Sequence, residues 1–153
     1  MRPVMERMQR PECLQRLAGQ AVGRVAVTAQ ALPAIIPVNY VLDDQSIVFR
    51  TDADGLLAHA CDESVVAFEV DDMAADGSGG WSVLVVGVAH LLDGSQAARA
   101  AQLDVVSAMG QGRNQHISID ISRVSGRRVG TQPASDVGRE RVGDAPTRLH
   151  GVS

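Results

Sequence analysis

Aromatic side chains are scarce in this chain. One tryptophan, one tyrosine and two phenylalanines make up 3% of its 153 residues. A surface that stacks nucleobases needs more rings than that. An excess of positive charge is missing too: 14 basic residues face 18 acids, for a formal charge of −4. That balance speaks against a nucleic-acid surface. No apolar run approaches the length of a membrane helix. The opening MRPVMERMQRPE lacks the apolar stretch of a secretory leader. The expectation is a cytosolic protein without membrane or nucleic-acid partners. Cysteine is limited to Cys13 and Cys61, and nothing indicates an oxidising compartment, so they read as two reduced packing thiols.

The usual carriers of chemistry are also missing. His59, His90, His116 and His150 are scattered, with no second ligand at helical or hairpin spacing, so no metal site is expected. There is no G-x-S-x-G, no P-loop and no G-x-G-x-x-G opening a helix. No side chain stands out as a catalytic acid, base or nucleophile. Asp71-Asp72 reads as a solvated strand end, and the Gly-Ser-Gly-Gly run before Trp81 is a poor phosphate cradle because no helix follows it.

What is present is a series of short β-branched runs, with 45% hydrophobic residues overall, enough for one core. The centre is Pro33 to Thr51, two apolar runs around a turn at Asp43-Asp44-Gln45. Ile47, Phe49 and Thr51 alternate with Val48 and Arg50, so the two sets face opposite ways. Pro33 and Pro37 cannot donate to a ladder, which places this run at an edge or a bulge. Asn39 is the polar residue inside the first run, and Arg50 ends the second.

Around this hairpin, Met1 to Arg10 reads as frayed and Pro11 to Gly19 as a short helix. Gly23 to Thr28 is a strand with Val25 and Val27 on one face. Gly55 to Cys61 makes a helical turn or two. Val65 to Asp71 is a strand with Val66, Phe68 and Val70 together. Trp81 to Leu92 is a long strand apolar on both faces, which needs cover on each side, and Gly87 in its middle marks a bend or a close backbone approach. Ser95 reads as the N-cap of a helix to Met109, with Leu103, Val106 and Met109 inward, ended by Gly110 and Gly112. His116 to Arg123 alternates, with Ile117, Ile119 and Ile121 inward. Residues 130–153 carry little apolar content and read as a disordered tail. The fold class is mainly β with a few helices, an antiparallel barrel occupying residues 11–129.

The order GRVAVT, PAIIPVNYVLDD, IVFRT, VAFEVDD, GWSVLVVGVAHLL, ISRVSGRRV resembles the pyridoxamine 5′-phosphate oxidase-like family of flavin-binding split barrels, and in particular its small actinobacterial branch with P-V-N-Y, F-R-T, F-E-V-D-D and G-W-S-V. The resemblance covers roughly Glu12 to Val129. It implies a six-stranded antiparallel split barrel that works as a homodimer with FMN at the subunit interface, which would give the Trp81 strand its second partner. Val38, Asn39 and Tyr40 would line the isoalloxazine. Arg50 and Thr51 would take the phosphate end. Trp81 and Ser82 would approach from a neighbouring strand or subunit.

One departure stands out. Relatives with flavin carry lysine, or Arg-Lys, at the start of the helix after the F-R-T strand, where this chain has Asp52, Asp54, Gly55, Leu56 and Leu57. The resemblance therefore implies weakly held FMN. Two function classes stay open. One is a flavin-dependent oxidoreductase acting on a small molecule, with a deazaflavin coenzyme as a variant and Tyr40 or water as proton source. The other is a non-enzymatic barrel that binds a small ligand or sequesters flavin.

Overall fold

The prolines of the central hairpin set its place in the sheet. In the computed structural model, which describes residues 2–103, 105 and 114–132, β3 (Leu32–Asp43) pairs with β2 (Val22–Ala29) through Asn39 and with β4 (Ser46–Asp52) only from Tyr40 onward. Pro33 and Pro37 thus lie in the half of β3 with one ladder partner, where a missing N–H costs least. Asp44 takes the left-handed conformation (φ 52°) in the turn to β4.

The remaining strands are β1 (Arg2–Met8), β5 (Ser64–Met73), β6 (Gly80–Leu91), β7 (Asn114–Asp120) and β8 (Arg123–Gln132). The helices are α1 (Arg10–Ala18), α2 (Leu56–Cys61) and α3 (Gly94–Ala101). The sheet order is β1-β8-β6-β5-β2-β3-β4-β7, and a further β6–β7 pairing closes six of these strands into an antiparallel barrel. β6 is the strand at which the barrel splits. Its first half, Gly80 to Val86, pairs with β8, whereas Ala89 to Leu91 pair with β7. Gly87 sits at the crossing, and a Cβ there would collide with the backbone carbonyl of Asp120. The close approach expected at Gly87 is therefore the point where two strands diverge from one partner.

Period-two alternation fills the barrel. Val25, Ile47, Phe49, Phe68, Val70, Val83, Val85, Ile117 and Ile119 all point inward and are buried. Leu17 of α1 and Leu57 of α2 join the same core, and Cys13 and Cys61 are buried free thiols within it. Burial pushes the Cys61 thiol up to about 11, which keeps it protonated and inert. A second small cluster lies outside the barrel, where Val48 meets Ala100 and Val105.

Three expectations need correction. Residues 2–8 are not frayed: β1 pairs with β8 over seven residues, Arg2↔Gln132 to Met8↔Gly126. Their sequence shows no apolar period because only Met8 is buried and backbone pairing orders the rest. Residues 130–132 belong to β8 rather than to a tail; residues 133–153 lie outside the described residues. Ser95 is not an N-cap, since α3 begins at Gly94 with Asp93 in the cap position and ends at Ala101. Val106, Met109, Gly110 and Gly112 lie outside the described residues. The outer face of β6 follows the sequence: Leu84 is 43% exposed, and Val65 on β5, paired with Val88 farther along β6, is 70% exposed.

Candidate functional site

Alternation splits each pair of neighbouring candidates between two faces of the barrel wall. Tyr40 and Phe49 form the last pair between β3 and β4, and both point inward. Asn39, one residue before Tyr40, and Arg50, one residue after Phe49, therefore turn to the outer face together. Both are half-buried. Asn39 borders a hollow of about 410 Å³ with Gln20, Ala21 and Val41. Val38 packs against the core.

Tyr40 belongs to the interior. Its hydroxyl donates to the Leu17 carbonyl, and its ring meets Phe68 edge-on at 4.8 Å. Burial pushes its phenol up to about 12. A phenol held protonated and bonded inside the wall is not available to a ligand on the outer face. Thr51 is likewise buried, on the face opposite to Arg50.

Arg50 is the unusual residue. Its Nε is buried and has no hydrogen-bond partner among the described residues. Directly across the ladder on β7 stands His116. Burial, and then the Arg50 charge, hold the His116 imidazole below its ordinary pKa, so it stays neutral. The wall thus presents one fixed cation with a spare donor, one neutral imidazole and one amide. That set suits an oxyanion attached to a flat polar ring.

Trp81 and Ser82 lie elsewhere on the same chain. Trp81 is 7% exposed and buried in the core, with the Arg16 guanidinium 5.0 Å above its ring. Ser82 is on the outer face, in register with Asp71 on β5 and Arg127 on β8. Within one protomer β5, β2 and β3 intervene on one side of the barrel, and on the other β7 meets β6 only at Ala89 to Leu91, far along the strand from Trp81 and Ser82.

Past Thr51 the chain turns sharply. The Asp52 side chain accepts the Asp54 amide at 3.1 Å, and the Asp52 carbonyl accepts the Gly55 amide at 3.0 Å. Leu57 is buried in the core, which explains its residue type. Leu56 is 48% exposed at the start of α2 and borders an apolar hollow of about 700 Å³ with Leu32, Pro33 and His59.

A second polar cluster was not readable from the sequence. His90 Nδ1 is 2.8 Å from Glu63 Oε1, and its Nε2 is 2.8 Å from Asp120 Oδ2. The Asp120 hydrogen bond first, and then that of Glu63, raise the pKa of His90. Sequence separations of 27 and 30 residues leave no motif to find. The cluster borders a hollow of about 630 Å³ beneath α3, with Ser46, Val48 and Ser118 on its floor. Among the described residues, no group of three His, Cys, Asp or Glu is placed to hold a metal. No described helix is long and apolar enough to cross a membrane.

Residues 9–128 match the family described as pyridoxamine 5′-phosphate oxidase. The chain belongs to that family. The chain is similar to Rv0080, an uncharacterized protein of Mycobacterium tuberculosis, at 39% identity over 108 residues that cover 67% of this chain and 70% of that one. Among solved structures, the FAD-binding protein of Mycobacterium smegmatis superposes with a TM-score of 0.72 at 27% identity, covering 83% of this chain and all (100%) of that one. A conserved protein of unknown function from Corynebacterium diphtheriae, DIP1874, gives a TM-score of 0.68 at 31% identity, with 80% and 96% coverage. All three sources are actinobacteria, in keeping with the branch whose motifs the sequence carries. The pyridoxamine 5′-phosphate oxidase match runs from the start of α1 into β8 and so spans the whole barrel.

Proposed function

We propose that this protein binds a flavin on the outer face of β3, β4 and β7 and acts as a flavin-dependent oxidoreductase on a small molecule, as a homodimer. The observation that carries this is the buried, unpartnered Nε of Arg50 beside Asn39 and a neutral His116. A buried donor without a partner is costly unless a ligand completes it. Arg50 would hold the phosphate end of FMN. Asn39 and the backbone of Val38 to Tyr40 would meet the polar edge of the ring. Thr51 would contribute through its backbone, since its hydroxyl side faces inward. A bound flavin supplies hydride transfer at its ring, and the chain's part is to hold and orient it. The half-covered outer face of β6, with Leu84 exposed, is the surface on which a second copy would pack and bring its Ser82, and Trp81 behind it, toward the ring.

A second reading has its own support. Leu56 is exposed where flavin-binding relatives carry lysine, and Asp52 and Asp54 lie nearby. The chain contains no lysine at all; every one of its basic residues is arginine. That favours weak phosphate binding, and with it a deazaflavin coenzyme or a non-enzymatic barrel that sequesters flavin.

Flavin fluorescence titration separates these readings. Losing a charge-assisted contact costs about 1.5–3 kcal/mol, or roughly ten- to a hundred-fold in affinity. Wild type should bind FMN only slightly better than riboflavin. Arg50→Ala should remove that preference, and Leu56→Lys should enlarge it. Tight FMN binding unaffected by Arg50→Ala would put the phosphate elsewhere and refute this placement of the site.

A further inference from the structure

Arg50 faces a histidine across the β4–β7 ladder rather than a second permanent cation. Arg50 lies opposite His116, and alternation turns both side chains to the outer face. Both are half-buried. The histidine rings that hydrogen-bond are those of His59 and His90. Among the described residues, neither ring nitrogen of His116 has a partner.

The other polar groups around the pair are committed elsewhere. The Gln115 amide donates to the carbonyls of Leu92 and His116 at 2.9 and 3.0 Å. Asp52, next on the outer face of β4, accepts the Asp54 amide. Arg99 of α3 holds Asp43 at 3.0 Å, and Asp120, farther along β7, holds His90. Past the end of β6, the Leu92 amide donates to the His116 carbonyl, and Asp93 takes the cap position of α3. On α2, His59 Nδ1 is 2.9 Å from the Gly55 carbonyl. Burial, and then the Arg50 charge, keep the free imidazole neutral. A proton there would set two cations against each other across one rung of the ladder.

A phosphate reverses that balance. A phosphate monoester carries a charge near −2 at neutral pH, and Arg50 supplies only one positive charge. The chain has no lysine to supply another. An anion within hydrogen-bond reach favours the charged form of an imidazole. We propose that His116 is the second cation of the flavin phosphate site, and that one of its free ring nitrogens takes a proton from solvent as the phosphate binds. The inference rests on the flavin reading above. It couples flavin loading to pH through one named group. The complex holds one more proton than its separated parts, so affinity falls as pH rises, by at most tenfold per pH unit. Above about pH 7 the phosphate is already a dianion, so its own titration does not contribute. Riboflavin has no phosphate and recruits no proton.

The test is calorimetric titration of the full chain with FMN and with riboflavin, in two buffers of different ionisation heat, which counts the protons taken up. Flavin fluorescence titrations from about pH 7 to about pH 8.5 accompany it. Wild type should take up about 0.5–1 proton with FMN and none with riboflavin, and its FMN affinity should fall roughly three- to tenfold per pH unit. His116→Gln should remove both the proton and the slope. His116→Lys should remove the slope while keeping FMN affinity near the wild-type value at pH 7. The proton count on wild type needs no variant, so misfolding cannot mimic the result. FMN binding by wild type without proton uptake or slope, with the FMN preference still lost in Arg50→Ala, would overturn this inference and leave the flavin reading standing. A slope kept in His116→Gln, or shared by riboflavin, would overturn it as well. Failure to bind either flavin would overturn the flavin reading and this inference with it.

Discussion

Glu69 on β5 should make the fold less stable as the medium turns alkaline. It lies opposite Arg24 on the outer face, and one of its oxygens, Oε1, is buried without a partner among the described residues. Burial pushes its carboxyl from 4.5 up to about 7, helped by the Asp71 hydrogen bond and charge and opposed by Arg24. The folded state therefore binds this proton more tightly than the unfolded chain does. Between about 4.5 and about 7 it holds more protons, so stability falls as pH rises through that window and the loss is complete above it. At full strength the difference is about 3 kcal/mol, since each tenfold change in proton affinity is worth about 1.4 kcal/mol. The Glu69 side chain is 32% exposed and Arg24 is 51% exposed, so solvent screening reduces the effect to about 1–2 kcal/mol. Glu69→Gln keeps the shape of the protonated acid and cannot ionise. Arg24 keeps Asp71 at 3.2 Å in the variant. The variant should match wild type at pH 4.5 and exceed it by about 1–2 kcal/mol at pH 8. Urea unfolding followed by circular dichroism at both pH values measures the difference, and other titrating groups cancel between the two proteins. A variant less stable than wild type at pH 8, or one stabilised equally at both pH values, would refute the reasoning.

His90 gives a smaller effect of the same sign: its raised pKa stabilises the fold fully below about 6.5, and that stabilisation is lost as pH rises through the folded-state value. His90→Gln should flatten this part of the stability profile by less than about 1 kcal/mol, because Glu63 and Asp120 are 66% and 49% exposed; an unchanged profile in unfolding melts from pH 5.5 to 8 would count against it. Gly87→Ala should cost at least about 2 kcal/mol, since its Cβ meets backbone that cannot step aside, and a melting temperature equal to wild type would contradict the closeness of β6 and β7. Light scattering at low micromolar concentration should return twice the 16.1 kDa chain mass; a clean monomer would remove the homodimer from the proposed function.

Much of the barrel was legible in the sequence, because a strand with one buried face writes itself as alternation. Val25 and Val27, Ile47 and Phe49, Val66 and Phe68, and Ile117 and Ile119 each announced an inward face, and each pair is buried. The ordered motifs from GRVAVT to ISRVSGRRV carried the family. Alternation also held that Arg50 faces away from Phe49, as the wall shows. What the sequence could not carry was anything that depends on which strands meet. β1 has no apolar period, and only its seven-residue ladder with β8 orders it. Neighbours in sequence such as Arg50 and Thr51, or Trp81 and Ser82, look like paired site residues until the strand wall places them on opposite sides. His116 beside Arg50, His90 between Glu63 and Asp120, and Arg7 against Arg127 are brought together from distant parts of the chain. Residue type and spacing fix the periodicity of each strand, and hence what is buried. Register between strands is set by closure of the whole barrel, and only that decides which polar groups stand side by side.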